Sequence, residues 1–310
     1  MSVVRSIELV IPKEVYVAGS DVAGQLVVRL HSTLVDPLLK VELIGRGYLE
    51  WIEEADGERD YHQQATCVNR ADYVHKTKTF QIERNWLGPG VHTFDFHFVL
   101  PPSIPSTFTS RVGRISYYLQ ALCATRELIL RKEKKYILVQ GISIFRQDTL
   151  ESEFPLVVEV RKVLLYHCCL TSGPVTLRMS LARSIYAPGD TIPFTTEITN
   201  ETGKSIKKVV FALHSVVLYK AFNLRAERRT LEQREEVARL ESPVASGRGE
   251  VTRIQSTLPL PEVLPVSSNA HGPEDIMEVG YELTGIIHFP WCLKKVVAKI
   301  PVVVRNPAPE

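Results

Sequence analysis

The groups in this sequence that could do chemistry are paired histidines, adjacent cysteines, a glycine couple and a run of cations. His92 and His97 could share a metal ion, but they stand five apart in an alternating stretch, so a strand would aim them at opposite faces. Cys168 and Cys169 could be acylated or ligate a metal. Neighbouring strand positions also face opposite ways, and free cysteines favour the core, so packing is the preferred reading. Gly45-Arg46-Gly47 opens like a dinucleotide fingerprint, in which glycines let backbone approach a pyrophosphate. The third glycine and the following helix are missing, and the pair reads as strand glycine. The sequence has no HExxH, GxSxG or CxxC pair and no complete phosphate-binding glycine loop. The chain is therefore expected not to be an enzyme and to need no metal or cofactor.

Arg131, Lys132, Lys134 and Lys135 form the densest basic cluster and are the candidate partner-binding residues. Such a cluster could meet acidic lipid headgroups or a phosphorylated tail. Glu133 interrupts it, which equally suits a solvated strand end. Lys294 and Lys295 make a smaller pair of the same kind. Asn200-Glu201-Thr202 matches a glycosylation acceptor, which matters only in a secreted protein. Cys67, Trp86 and Cys123 superficially resemble an immunoglobulin Cys-Trp-Cys arrangement, but no disulfide is expected there.

These side chains must be positioned by strands. Phe94, Phe96, Phe98 and Leu100 alternate with Asp95 and His97; Val175, Leu177, Met179 and Leu181 alternate with Thr176, Arg178 and Ser180. Ile192, Phe194, Thr196 and Ile198 repeat the pattern. Between such runs stand turn signals at Gly19-Ser20, Gly88-Pro89-Gly90, Gly173-Pro174 and Pro188-Gly189-Asp190. Short strands without intervening helices favour a sandwich over a βαβ fold. The one helix candidate is Arg225–Glu241, where Leu224, Leu231 and Ala238 recur at heptad spacing. Its apolar face is so thin that a solvated loop or short helix is expected.

At 310 residues the chain exceeds what one hydrophobic core usually serves, so two domains are expected. A hydrophobic share of 45% argues against disorder, and a net charge of +2 is too small to imply nucleic acid as a partner. The five cysteines lack the spacing of a disulfide framework, and the amino terminus lacks the apolar core of a secretory signal. A cytoplasmic protein is expected, with buried free thiols. The polar stretch Arg146–Pro155 marks a linker, which divides the chain near Thr149 into domains 1–148 and 149–310. The halves share an order of motifs. Tyr16-Val-Ala-Gly19 matches Tyr186-Ala-Pro-Gly189. The Leu-Pro segment Leu100–Pro105 precedes Tyr117, as Leu258–Pro265 precedes Tyr281.

The run Gly90-Val-His-Thr-Phe94-Asp-Phe96-His-Phe98-Val-Leu100-Pro101, followed by Pro105–Phe108 and Ile115–Leu119, resembles the amino-terminal arrestin domain. Cys168-Cys169, Gly173-Pro174, Tyr186–Asp190 and Ile198–Asn200 resemble the start of the carboxy-terminal domain of the α-arrestins. The resemblance implies an all-β chain of two tandem arrestin-like (immunoglobulin-like) β-sandwich domains. It also implies a cytosolic adaptor for intracellular sorting, which binds the cytosolic tails of membrane proteins and transport machinery, with peripheral membrane contact. The alternative is a structural β-sandwich subunit of a larger trafficking assembly, like retromer components. Many α-arrestins recruit ubiquitin ligases through PPxY sequences; this sequence has none, so PPxY-mediated binding is not expected. Its last residues, Asn306–Glu310, directly follow the last expected strand, so no long peptide-bearing tail is expected either. Only Arg5 stands where the visual and β-arrestins carry adjacent phosphate-sensing lysines, and the phosphate switch is not carried over.

Overall fold

The computed structural model describes residues 3–53, 65–142, 156–166, 170–202, 205–244, 249–268, 275–289 and 295–306. All regular structure among them is strand. In the amino-terminal half these are β1 (Val4–Val10), β2 (Val15–Val17), β3 (Asp21–Leu30), β4 (Leu34–Val35), β5 (Leu38–Glu53) and β6 (Ala65–Phe80). There follow β7 (Trp86–Leu87), β8 (Gly90–Val99), β9 (Phe108–Thr109), β10 (Gly113–Ala124) and β11 (Ile129–Gln140). The carboxy-terminal half holds β12 (Leu156–Tyr166), β13 (Leu170–Leu181), β14 (Ile185–Tyr186), β15 (Thr191–Asn200) and β16 (Lys208–Phe222). It ends with β17 (Arg228–Pro243), β18 (Glu250–Pro259), β19 (Met277–His288) and β20 (Val296–Val304). No helix among the described residues is long and apolar enough to cross a membrane.

The chain forms two compact units: Met1–Ile142 with Tyr219–Thr230 and His271–Ile276, and Ser143–Leu218 with Leu231–Ala270 and Met277–Glu310. The expected linker around Thr149 lies outside the described residues. In the first unit, the sheet β1-β3-β8 packs against a sheet in the order β6-β5-β10-β11-β2. The second unit pairs the sheet β12-β13-β15-β18 with one in the order β16-β19-β20-β14. Alternation fixes which faces meet. Phe96 and Phe98 are buried on β8, as are Val175, Leu177, Met179 and Leu181 on β13, and Ile192, Phe194, Thr196 and Ile198 on β15.

The repeat read in the sequence is also a repeat of contacts. Gly19 and Gly189 adopt φ of 81° and 83°, a region open to glycine at little steric cost. The Gly19 N–H donates to the Pro101 carbonyl at 3.2 Å, and the Gly189 N–H to Pro261 at 3.0 Å. Tyr16 pairs in parallel with Val139 of β11, and Tyr186 with Val304 of β20. Each tyrosine carries a cation over its ring, Lys13 at 4.8 Å and Arg183 at 4.6 Å. The Tyr117 hydroxyl donates to the Pro105 carbonyl at 2.7 Å, and the Tyr281 hydroxyl to Pro265 at 2.6 Å. Proline frees these Leu-Pro segments from the ladder, and a buried phenol from the next strand pins each one. Tyr117→Phe and Tyr281→Phe are each expected to cost about 1–2 kcal/mol of unfolding free energy, because a half-buried carbonyl loses its donor. Chemical denaturation checks this; a silent variant in either half would break the equivalence of the two corners.

One expectation fails. The stretch expected to be a solvated loop or short helix is β17, a strand beside β16. Its ion pairs show why: Arg234 meets Glu232 at 2.6 Å and Arg239 meets Glu241 at 2.7 Å, both two residues apart. Residues i and i+2 share a face on a strand and do not face each other on a helix. Arg234 also reaches Glu282 of β19 at 2.6 Å. The charges that weakened a helix reading thus line a sheet edge, where they discourage pairing with another chain.

Candidate functional site

The residues singled out from the sequence resolve one by one. The His92 ring meets the Gly88 carbonyl at 2.8 Å, whereas His97 meets Asp21 at 3.0 Å. They serve separate local bonds. Gly45 and Gly47 lie within β5, and a Cβ on Gly45 would fall 2.4 Å from the Tyr117 ring. Asn200 is buried, and its Oδ1 accepts bonds from the Thr202 N–H at 3.1 Å and hydroxyl at 2.6 Å, a structural role that withdraws it from a modifying enzyme. Cys67 and Cys123 are buried free thiols, and burial pushes the Cys123 thiol up to about 11. Trp86 is half exposed and does not fill an immunoglobulin-like core position. Cys168, Cys169, Cys292 and Lys294 lie outside the described residues.

The basic cluster is divided between the two faces of β11. Strand alternation puts Lys132 and Lys134 on the outer face of β11 with Tyr136, and Arg131 and Lys135 on the side that carries the core residues Ile137 and Val139. Register then supplies new neighbours for Lys134. Tyr136 stands opposite Tyr118 of β10, and Lys134 opposite Gln120. Next along the sheet, Arg114 and Ser116 of β10 stand opposite Tyr48 and Arg46 of β5. Those in turn face Arg70 and Asp72 of β6. The result is a groove of about 760 Å3 lined by Arg46, Arg70, Arg114 and Lys134, with Tyr48, Tyr118 and Tyr136 between them.

Its cations are held but not neutralised. Asp72 is the carboxylate in the lining, and it pairs with Arg46 at 2.9 Å. Arg70 lies over the Tyr48 ring at 5.4 Å, and Lys134 over the Tyr118 ring at 4.7 Å. Tyr118 and Tyr136 pack with ring centroids 5.5 Å apart. Such cation–π contacts hold the cations at the groove without cancelling their charge. Across β10 from Lys134, beyond Gln120, the buried Glu42 accepts bonds from Lys40 and from Gln120, both at 2.9 Å. Burial raises its pKa, and the bonds from Lys40 and Gln120 outweigh that and leave it lowered. Glu42 is thus an anion already committed to its own partners. Four cations against one carboxylate leave three positive charges in excess, beside aromatic surface. That combination suits an acidic segment carrying apolar or aromatic side chains.

Sequence reasoning found Lys134 but not Arg46, Arg70, Arg114 or the tyrosines. The alternation Arg46-Gly-Tyr48 signalled an outer face of β5, but only the register across the sheet shows what faces it. In the second unit a cleft of about 740 Å3 opens between β17 and β18 over Leu181 and Phe194. Its lining includes Glu241 and no cation.

Comparison with known proteins agrees with this architecture. The arrestin (or S-antigen) N-terminal domain matches residues 6–144, and the arrestin C-terminal domain residues 171–309. Arrestin domain-containing protein 5 of Bos taurus is 49% identical over 307 residues, which cover 99% of this chain and 92% of that protein. Its Homo sapiens counterpart is 49% identical over 99% of this chain and 89% of its own length. The more distant human arrestin domain-containing protein 4 is 25% identical over 97% of this chain and 71% of its own length. With both domains in order and nearly the whole length matched, the chain belongs to the arrestin family, among the arrestin domain-containing proteins.

Proposed function

We propose that this protein is a non-enzymatic cytoplasmic adaptor in the sorting of membrane proteins, and that it holds their cytosolic tails through its sandwich surfaces. The observation that carries this reading is the groove on β5, β6, β10 and β11, where Arg70, Arg114 and Lys134 have no carboxylate partner among the described residues. Beyond the two cation–π contacts, charge without a carboxylate partner does little for the fold, and it suits the groove to an anionic ligand. Arg46 and Tyr48 supply a fork and a rim for carboxylates and aromatic side chains. Membership of the arrestin family supports the adaptor role, since the family is one of adaptors and not of enzymes.

Proximity labelling tests the reading. The intact chain is expected to label membrane proteins and transport machinery, and a variant with Arg70, Arg114 and Lys134 changed to glutamate is expected to lose the membrane proteins. If the intact chain labels neither class, the adaptor reading fails. If the variant labels the same set, cargo is held elsewhere.

A further inference from the structure

Large apolar side chains are exposed at one end of the first sandwich. The β10–β11 turn presents Leu128 and Ile129, which are 63% and 62% exposed. The same end of the sheet brings Leu38, opposite Ala124, and the exposed pair Val35 and Trp86, which face each other across β4 and β7. The turn is closed by its own bonds. The Thr125 N–H donates to the Leu128 carbonyl at 2.8 Å, and the Leu128 N–H to the Thr125 hydroxyl at 3.3 Å. The two apolar side chains therefore project outward on a fixed hairpin.

Charge surrounds this tip. From Thr125 to Lys135 the chain carries Arg126, Arg131, Lys132, Lys134 and Lys135 against Glu127 and Glu133. No carboxylate among the described residues lies within salt-bridge distance of any of the five cations. Arg131 and Lys135, which strand alternation separates from the groove, thus flank the tip from the other side of β11.

We propose that this end of the first unit docks on an anionic membrane surface, with Leu128 and Ile129 inserted at the headgroup level and Arg126, Arg131 and Lys132 against lipid phosphates. Apolar prongs ringed by unpaired cations match the two terms of interfacial binding, apolar burial and attraction to anionic lipid. Trp86 suits the same boundary. A fluid surface can close around prongs that stand on separate turns, as those at Val35–Leu38 and Leu128–Ile129 do. Docking here would also serve the groove. Lys132 and Lys134 run from the tip to the groove along one face, and six residues of strand span roughly 20 Å. A tail leaving the bilayer could follow that face. The docking itself does not depend on what the groove holds.

Vesicle flotation with the full chain tests this proposal. Binding is expected to phosphatidylcholine vesicles containing phosphatidylserine, to be absent with phosphatidylcholine alone, and to be reversed by salt. Leu128→Ser with Ile129→Ser should weaken it on the order of 100-fold. Arg126→Glu, Arg131→Glu and Lys132→Glu together should weaken it by about as much, from roughly fivefold for each cation lost. Ile129→Thr keeps the β-branch that suits the hairpin and should still weaken binding about tenfold, so a folding defect in the double variant does not hide the result. Equal binding to both vesicle types, or tip variants that bind as the parent does, would overturn the proposal. So would an intact chain that binds no vesicles but binds an acidic peptide that the tip variants lose; that result would make the tip a protein-docking site.

Discussion

Changing Arg70, Arg114 and Lys134 to glutamate should lower affinity for an acidic, aromatic-containing tail peptide by about 100-fold or more, while the first unit keeps its fold. Each exposed pair between a groove cation and a peptide carboxylate is worth up to about 1 kcal/mol, so three lost pairs give about 3 kcal/mol, and reversal adds repulsion. The cost to stability should be far smaller. The variant loses two cation–π contacts, Arg70 with Tyr48 and Lys134 with Tyr118, at about 0.5–1 kcal/mol each. It also relieves repulsion among cations that share one face of the sheet. The neutral variant, with glutamine at the same positions, should bind with intermediate affinity and with a flatter dependence on salt. Fluorescence anisotropy titrations at two ionic strengths read both quantities. If the glutamate variant binds within about twofold of the parent, the groove is not the tail site.

Much of the fold was legible because its period is short. Phe94, Phe96 and Phe98 declare an inward face within five residues, half-buried at Phe94 and buried at the other two, and the Leu-Pro segments declare where each sandwich turns its corner. Even the correspondence of Tyr117 with Tyr281 could be read from motif order, although the bonds to Pro105 and Pro265 could not. The stretch from Arg225 to Glu241 misled because Leu224, Leu231 and Ala238 fall at heptad spacing by chance. Pairs such as Glu232–Arg234 and Arg239–Glu241 carried the opposite signal, which a count of apolar positions ignores. The groove was the least legible part. Arg46, Arg70, Arg114 and Lys134 come from four strands, and the bulge between Gly45 and Arg46 resets the pairing of β5 with β6. The run Arg131–Lys135 reads in the sequence as one cluster, and only its place on β11 parts Lys132 and Lys134 from Arg131 and Lys135.

Gly45→Ala should be among the most damaging single methyl additions in the first unit, at about 3–5 kcal/mol. The added Cβ would sit 2.4 Å from two atoms of the Tyr117 ring and 2.7 Å from Cγ1 of Val74. Neither neighbour yields cheaply. Tyr117 is fully buried, and its hydroxyl is tied to the Pro105 carbonyl. Overpacking a filled core costs about 1–3 kcal/mol. If the ring swings aside it breaks its bond to the half-buried Pro105 carbonyl, which adds about 1–3 kcal/mol. In a unit of this size, a loss of that order lowers the melting temperature by roughly 10 °C. The ring is the cause only if the two positions are coupled, so Gly45→Ala should cost far less in a Tyr117→Ala background. Calorimetry of the four proteins in that cycle decides the matter: additive effects would mean that the glycine answers to something other than the tyrosine beside it.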